Sequence, residues 1–308
     1  MRVLLTGAAG FIGSHVARLA VQEGHEVVAL VRPGRSQRRL GGERDRLRLL
    51  EGDLREAQAL EAPLRERVPD VCLHLAWYAE PGGRCLWAQE NLDCLTGSLA
   101  FLRVLRDVSC PRLVIAGTSI EYDTSTGYVS ETSPIQPKNL YAASKHALFL
   151  TATRFDERGD LAVAAARIFS VYGPWEDPRR LVPFVISKLL AGEPCDLTRG
   201  EQIRDYSHVE DAAGALWAIA KSSVVGPVNV GSSEPVSVAA VAGRLGELLG
   251  RPELLRFGAR PSPPGDPRFL VANTERLRNE VGFVPDYDLP SGLAHTVDWW
   301  RSQAGAHP

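Results

Sequence analysis

Lysine is scarce in this chain of 308 residues. The 35 lysine and arginine residues include only four lysines, which are Lys138, Lys145, Lys188 and Lys221. Against 37 acidic residues they leave a formal net charge of −2, so no basic field exists that would attract nucleic acid or an anionic membrane. Hydrophobic residues make up 44% of the chain, enough to bury a core. We expect a globular protein with no nucleic-acid partner.

Cysteine is also sparse and shows no pairing pattern. The five cysteines are odd in number and never spaced C-x-x-C: Cys72, Cys85, Cys94, Cys110 and Cys195. We therefore expect neither a disulfide framework nor a metal site. No apolar run reaches the roughly 20 residues that a membrane helix needs, and glycines at 7, 10 and 13 interrupt the apolar start where a signal peptide would lie. The expected location is the cytoplasm, with no membrane partner.

Short β-branched runs alternate with helical patterns in the first half of the chain. The predicted strands are Val3–Thr6, Glu26–Val31, Val71–Leu75, Arg112–Ala116 and Ala162–Arg167, with helices such as Phe11–Glu23 and Glu90–Asp107 between them. This alternation predicts an α/β fold, a doubly wound parallel Rossmann sheet covered by helices on both faces. We assign residues 1–170 to this domain. Residues 171–308 form mainly a smaller C-terminal substrate lobe, with about 205–230 returning to the Rossmann domain.

A glycine-rich turn follows the first strand and opens the first helix. Its sequence, TGAAGFIG at 6–13, places Gly7, Gly10 and Gly13 where a backbone can approach a pyrophosphate, beside Phe11 and Ile12. A helix N-terminus offers free N–H groups and partial positive charge to the same group. Such a turn can also serve tight packing alone, but its position between strand and helix favours a dinucleotide site.

The end of the second strand bears on the choice of cofactor. An acidic residue there would bind the ribose 2′-hydroxyl of NAD, whereas this chain has Arg32, with Arg35, Arg38 and Arg39 close behind. A guanidinium can hold the 2′-phosphate of NADP, and a carboxylate would repel it. We therefore expect NADP, with NAD as the alternative if these arginines only form a solvated basic loop.

Tyr141 and Lys145 lie four residues apart in YAASK and so share one face of a predicted helix. A phenol ionises near pKa 10, too high for proton transfer at neutral pH. A nearby ammonium stabilises the phenolate, and lowering this pKa by about 2 requires about 2.7 kcal/mol. The pair is frequent on surface helices too, but the hydroxyls of Thr118 and Ser119 at a preceding strand end favour acid/base chemistry.

Further motifs accompany the glycine-rich turn and YAASK in a fixed order along the chain. They are GDL at 52–54, HLAWYA at 74–79, NLDCLTG at 91–97, GTSIEYD at 117–123, RIFSVYGP at 167–174 and RDYSHVEDAA at 204–213. The whole series covers most of the sequence and resembles the extended short-chain dehydrogenases of the nucleotide-sugar epimerase/dehydratase group. The resemblance implies an NAD(P)-dependent enzyme whose substrate is a nucleotide sugar.

The resemblance also implies roles for single residues. Tyr141 would be the general acid/base, and Lys145 would bind the nicotinamide ribose and lower the tyrosine pKa. Thr118, four residues before Tyr122, would hydrogen-bond the reacting oxygen, with Ser119 as a second candidate. The remaining cofactor contacts would be Asp53, Leu54, Leu75, Ala76 and Asn91. For Asn91, a buried structural amide is an equal alternative.

Four residues are predicted to contact the substrate: Trp77, Ser119, Ser170 and Arg204. Trp77 would wall the sugar pocket, unless it only packs. Arg204 matches an arginine that the family directs at the nucleotide diphosphate, and its alternative role is an ion pair with Asp205 or Asp211. His74 is expected to be a core residue, and Asp211 is expected to cap a helix over Ala212–Ala220.

The sequence departs from the group's pattern at several places. Sugar 4,6-dehydratases of this group carry Asp-Glu directly after the catalytic threonine, where this chain has Ser119 and Ile120. Ser170 stands in place of the usual asparagine of RxFNxYGP. Glu121 occupies a position that is usually apolar, and the resemblance implies no role for it.

These observations lead to one preferred function and two alternatives. We predict NADPH-dependent reduction of a nucleotide-activated 4-keto-6-deoxy sugar, with Tyr141 protonating the oxygen. A 4-epimerase with tightly bound NAD would use the same residues. A non-catalytic dinucleotide-sensing regulator is the third possibility, against which the joint presence of Thr118, Tyr141 and Lys145 argues. The helices Glu90–Asp107 and Tyr141–Arg158 resemble the pair through which this family commonly dimerises, so a homodimer is expected.

Overall fold

A computed structural model describes residues 1–81, 83–155, 159–263 and 265–304. Within these residues the strands are β1 (Arg2–Thr6), β2 (Glu26–Val31), β3 (Arg48–Glu51), β4 (Val71–His74), β5 (Arg112–Thr118), β6 (Tyr128–Val129), β7 (Ala162–Ile168), β8 (Ser170–Tyr172), β9 (Cys195–Asp196), β10 (Ile203–His208), β11 (Gly226–Val230), β12 (Pro235–Ser237), β13 (Leu255–Arg256) and β14 (Phe269–Ala272). The α-helices are α1 (Phe11–Gln22), α2 (Glu61–Glu66), α3 (Glu90–Asp107), α4 (Leu140–Phe155), α5 (Leu181–Leu190), α6 (Val209–Lys221), α7 (Val238–Leu249), α8 (Glu275–Asn279) and α9 (Leu289–Ala304).

Seven parallel strands form the main sheet, in the order β11-β7-β5-β4-β1-β2-β3. The order reverses beside β1, where Val3 pairs with Val27 of β2 on one side and with Val71 of β4 on the other. In open α/β sheets such a reversal opens a crevice at the carboxyl ends of the strands. The predicted doubly wound parallel sheet is therefore confirmed, with β4 ending one residue earlier and β5 two residues later than the sequence pattern indicated.

The strands of this sheet are apolar on both faces because helices cover both faces. One apolar layer joins the sheet to α1 and α6 through side chains such as Val16, Ala17, Ala212 and Leu216. The other joins it to α3 and α4 through side chains such as Leu102, Leu105 and Leu148. The two layers clamp the sheet and fix the positions of its strand ends.

The C-terminal part of the chain, together with β6 from the first half, builds a second, smaller sheet, and it also forms a separate apolar cluster. The strands of this second sheet run in the order β12-β10-β14-β6, with β8 beside β10, and helices α5, α7 and α9 pack together nearby. The segment 209–230 returns to the main sheet, where α6 covers one face and β11 adds an edge strand beside β7. The boundary near residue 170 stays a prediction.

The first helix ends one residue earlier than expected, at Gln22, and two others differ more from the sequence expectation. α4 begins at Leu140 and reaches Phe155, and residues 156–158 of the predicted helix lie outside the described part of the chain. α6 begins at Val209, and its N-cap is the ring of His208, which accepts a hydrogen bond from the Glu210 amide (3.3 Å). Asp211 does not cap the helix, since its carboxylate accepts the backbone amides of Asp286 and Tyr287, residues that precede α9.

Candidate active site

The glycine turn leaves no space for side chains. A Cβ on Gly13 would lie 2.1 Å from the carbonyl oxygen of Gly7, and one on Gly10 would lie 2.9 Å from the same atom. Gly7 has φ +72° and sits against Ala76, whose amide nitrogen would be 2.8 Å from a Cβ. The predicted turn therefore brings two backbone segments close together. Ala76 adds to this contact, because its amide donates a hydrogen bond to the Thr6 hydroxyl (3.1 Å).

The N-terminus of α1 is open at this turn. Its N-cap is Gly10, which has no side chain to accept the first amides of the helix, and no acidic residue lies in the first turn. Gly7, Gly10 and Gly13 line a cavity together with Phe11 and Ile12. A diphosphate in that cavity would meet unpaired N–H groups and the positive end of the helix dipole. The residues present thus fit a dinucleotide.

Thr118, Tyr141 and Lys145 meet at the other end of this cavity, at the carboxyl end of β5. The Lys145 ammonium is buried and donates to the carbonyl oxygen of Ala116 (2.7 Å), the strand residue two before Thr118. It lies 5.8 Å from the centre of the Tyr141 ring and 4.4 Å from that of Trp77. The structure therefore brings together the three residues that the sequence selected for catalysis.

The proton affinities at this end differ from the expectation. Burial raises the pKa of Tyr141 above its ordinary value, and contact with the Thr118 side chain opposes only part of that effect. Burial also lowers the pKa of Lys145 to about 8, against the charge of Glu121. In the protein alone the pKa of Tyr141 is therefore raised rather than lowered, because desolvation of the phenolate is the largest influence on it. The positive charge of an oxidised nicotinamide is the contribution that the protein alone lacks.

One cavity of about 690 Å³ connects the glycine turn to these residues, a volume that suits a small-molecule site. Three of the four predicted substrate residues line it, namely Trp77, Ser119 and Ser170. Arg204 is not among its lining residues in the described part of the chain. It forms an ion pair with Asp266, a partner that the sequence did not indicate, so its predicted diphosphate contact would require that pair to open.

Asn91 supports the cavity wall from behind. Its side chain is fully buried, accepts the Trp77 indole N–H (2.9 Å) and donates to the carbonyl oxygens of Cys85 (2.6 Å) and Ala88 (2.9 Å). The geometry supports the structural alternative over the predicted cofactor contact, because the amide is already bonded within the protein. Its effect on the cavity passes through Trp77.

The residues expected at the adenosine end differ in exposure and in their relation to the cavity. Arg32 is exposed and does not line the cavity, whereas Arg39 lines it and donates its Nε to the Trp175 carbonyl (3.0 Å). Asp53 pairs with Arg55 (2.7 Å), and this hydrogen bond lowers the pKa of Asp53. Leu75 lines the cavity, while Leu54 packs in the apolar layer against α3. The cofactor roles of Arg32, Asp53 and Leu54 stay predictions.

Two carboxylates near the cavity carry no role in the sequence prediction. Glu121 is buried beneath Thr118, and its position where an apolar residue is usual was the signal that could have found it. Glu176 lines the cavity from the loop between β8 and α5, where no sequence pattern marks it. Burial raises the pKa of Glu176 to about 8, and its Oε2 has no hydrogen-bond partner in the described part of the chain.

The histidines behave as structural residues. His74 is buried, bonds to the hydroxyls of Thr6 (2.9 Å) and Ser98 (2.8 Å), and has its pKa lowered to about 3 by burial. The ligand atoms of His208, Glu210 and His295 lie within 4.8 Å of one another. However, both nitrogens of His208 are already engaged, one by the helix cap and one facing His295 at 3.2 Å. We assign no metal to this junction.

The sheet, the glycine turn and the cavity define a dinucleotide-binding α/β fold. Comparison with known proteins narrows this class to a family. A dTDP-glucose 4,6-dehydratase from Xanthomonas campestris pv. campestris is 31% identical, with 96% of this chain and 92% of that protein aligned. A Thermus thermophilus UDP-glucose 4-epimerase solved with NAD superposes with a TM-score of 0.86 at 28% identity, over 98% of this chain and 99% of that one. MoeE5, solved with UDP-glucose and NAD, superposes with a TM-score of 0.85 at 31% identity, over 99% and 100%.

The model of the NAD dependent epimerase/dehydratase family matches residues 3–231. The chain therefore belongs to this family and is an enzyme of the extended short-chain dehydrogenase type. Among the described residues, no helix is both long and apolar enough to cross a membrane.

Proposed function

We propose that this enzyme interconverts the two configurations at carbon 4 of a nucleotide sugar, as a 4-epimerase with bound NAD. The observation that carries the proposal is the single cavity in which the glycine turn and the Thr118–Tyr141–Lys145 group face one space, with Ser119 and Ile120 directly after Thr118. Bound NAD supplies a hydride acceptor that later returns the hydride. The relatives named above include an enzyme of this kind that binds NAD.

Three residues of the cavity have distinct roles in the proposed reaction. Tyr141 takes the proton of the sugar hydroxyl as carbon 4 is oxidised, and it returns that proton when the hydride comes back to the opposite face. Thr118 holds the reacting oxygen by its hydroxyl. Lys145 holds the nicotinamide ribose and places its positive charge near the phenolate.

Elimination of water is not supported by the same geometry. It requires an acid and a base in addition to Tyr141, and the two positions that supply them in the dehydratases of this group hold serine and isoleucine. Glu121, the next residue, is bonded beneath the site and does not line the cavity among the described residues. We therefore place the similarity to a 4,6-dehydratase at the level of family and fold.

A 4-ketoreductase is the second candidate, favoured by Arg32. An exposed arginine at the end of β2 suits the 2′-phosphate of an exchangeable NADPH. The reaction would consume one NADPH for each keto sugar, with Tyr141 as proton donor.

The two candidates separate in one assay. We would isolate the protein, identify any retained cofactor by mass spectrometry, and follow UDP- and dTDP-hexoses by NMR without added cofactor. An epimerase is expected to retain NAD and to form the carbon-4 epimer while keeping a deuterium label at that carbon. Retention of no NAD, together with stoichiometric NADPH oxidation by a 4-keto sugar, would overturn the epimerase in favour of the reductase.

We also propose a homodimer formed by α3 and α4. Leu92 on α3 is 39% exposed and Leu150 on α4 is 51% exposed, as expected of a surface that a second copy covers. Light scattering is expected to show a particle of twice 33.5 kDa. Leu92→Glu with Leu150→Glu is expected to halve it, whereas Val284→Glu, at an apolar residue exposed elsewhere, is not. A wild-type monomer at micromolar concentration would refute the dimer.

A further inference from the structure

Glu121 is almost completely buried, and both of its carboxylate oxygens have polar partners within the protein. Its Oε1 accepts the backbone amide of Thr118 (2.8 Å). Its Oε2 accepts the Nε–H of Arg167 (3.1 Å) and faces Nδ1 of His146 (3.3 Å). A buried carboxylate is costly unless it is paired and hydrogen-bonded, and here each oxygen has a partner of the required kind.

The three partners of Glu121 come from three different elements. Thr118 ends β5, Arg167 lies on the adjacent strand β7, and His146 follows Lys145 on α4. The carboxylate thus ties the strand end that bears the threonine hydroxyl to the helix that bears the tyrosine and the lysine. This one side chain therefore fixes the relative position of the strand end and the helix.

The local sequence makes room for this arrangement. Gly117 precedes Thr118, and a Cβ at that position would lie 2.9 Å from Oε1 of Glu121 and 3.2 Å from Cγ of Arg167. The Arg167 guanidinium is held in turn over the rings of Tyr122 (4.5 Å) and Phe149 (5.9 Å). The carboxylate therefore cannot swing away without displacing a buried arginine.

We propose that Glu121 is a positioning residue, which sets the Thr118 hydroxyl at the reacting oxygen by holding the Thr118 backbone amide against α4. This inference rests on the proposed function, since the reacting oxygen is that of the sugar. Glu121 does not line the cavity among the described residues, so in this proposal it positions the reacting oxygen through Thr118, while its charge also raises the pKa of Tyr141 and opposes the lowering of the Lys145 pKa. An ordinary buried ion pair would contribute to stability and leave the chemical step unchanged.

The first test is a double-mutant cycle in kcat. Glu121→Gln keeps the size of the side chain but offers one accepting oxygen, so its amide must face either the Thr118 N–H or Arg167 with a donor. Because a displacement of about 1 Å can cost up to about 100-fold, we expect kcat to fall roughly 10- to 100-fold while KM changes by less than about threefold. In the Thr118→Val background the same change is expected to have almost no further effect on the pH-independent kcat, the limit in which shifts of the Tyr141 and Lys145 pKa values no longer alter the protonation state. Equal effects in both backgrounds would overturn the positioning role.

A repacked pair separates stability from positioning. Glu121→Val with Arg167→Met removes both charges together, which can restore the stability that Glu121→Val alone loses. We expect the melting temperature to recover but kcat to stay low, because the Thr118 amide still lacks its acceptor. Arg112→Met is the matched control, since Arg112 is a buried arginine that bonds only to the carbonyls of Ile219 and Val224 among the described contacts. Recovery of kcat together with the melting temperature would overturn the proposal.

A third measurement needs no substrate. Hydrogen–deuterium exchange of the Thr118 amide is expected to quicken at least tenfold in the Glu121→Val with Arg167→Met pair, which leaves that amide without its acceptor, with the amides of β1 unchanged as an internal reference. Unchanged exchange would overturn the proposal even if the enzyme is an epimerase. If no nucleotide sugar is turned over, the proposed function fails, and this exchange rate still decides whether Glu121 holds Thr118.

Discussion

The two ends of the cavity are built differently. At the reacting end, Thr118, Lys145 and Glu121 are buried and bonded to strand ends and helices whose positions the main sheet fixes. At the adenosine end, Arg32 is exposed and Asp53 is paired with Arg55 on the surface. The comparison teaches that the fold fixes the groups at the reacting end, whereas the side chains expected to select the cofactor lie outside this bonded framework, where a few substitutions can change them.

The largest effect is expected at the reacting end, when the tyrosine hydroxyl is removed. Tyr141→Phe keeps the ring and deletes only the group that moves the proton, so kcat is expected to fall roughly 10²- to 10⁴-fold. The Kd of the cofactor is expected to change little, because the glycine turn and Lys145 remain. Stopped-flow kinetics and a fluorescence titration of the cofactor measure the two quantities. A variant that keeps more than about a tenth of the activity would end the acid/base assignment.

Lys145→Ala tests the same end with a smaller expected effect. The ammonium is predicted to bind the nicotinamide ribose and to favour the phenolate, so its loss is expected to lower kcat and also to weaken cofactor binding, each roughly tenfold or more. The matched control is Lys138→Ala, at a lysine whose side chain is 57% exposed and pairs with Asp123. An unchanged cofactor Kd in Lys145→Ala would contradict the ribose contact.

At the adenosine end the test is Arg32→Asp. If the guanidinium grips a 2′-phosphate, the substitution replaces attraction by repulsion and is expected to weaken NADPH binding roughly 10- to 100-fold. The carboxylate could then accept the ribose 2′-hydroxyl, which shifts the ratio of kcat/KM toward NADH. Because Arg35 lies close by in the chain, the double change with Arg35→Asp is the stricter version. If wild type and variant both prefer NAD(H), Arg32 is only a surface charge and the reductase loses its support.

The sequence predicted the parts of the molecule that periodicity and spacing determine. The alternation of strands and helices indicated the parallel sheet, and the four-residue spacing of Tyr141 and Lys145 placed both on one helix face. The partner of Arg204 and the role of Asp211 could not be predicted, because each depends on a contact between segments far apart in the chain, Arg204 with Asp266 and Asp211 with the amides of Asp286 and Tyr287. The burial that raises the pKa of Tyr141 in the protein alone could not be predicted either, since spacing shows a neighbouring charge but not the degree of burial.

Glu176 differs from the other buried groups at the reacting end, because one of its oxygens is unpaired in the described part of the chain. Its substitution is expected to have the smallest effect of the four. It lines the cavity and is buried, but its Oε2 has no partner within the described residues, unlike either oxygen of Glu121. Burial raises its pKa from an ordinary 4.5 to about 8. Between these two values the folded protein holds a proton that the unfolded chain has lost. The free energy of unfolding must therefore fall as the pH rises through this window.

Glu176→Gln removes this dependence, because an amide keeps the shape of the neutral acid and never ionises. At pH 8.5 the variant is expected to be more stable than wild type by about 1–3 kcal/mol, and at pH 4.5 the two should coincide, as urea unfolding can measure. Asp177→Asn is the adjacent control: hydrogen bonding from Arg179 lowers the pKa of Asp177, so its loss should bring no gain at high pH. Equal stability of wild type and Glu176→Gln at pH 8.5 would show that Glu176 ionises without penalty. The cavity wall would then be as well solvated as the adenosine end, and the difference between the two ends would be smaller than the buried contacts indicate.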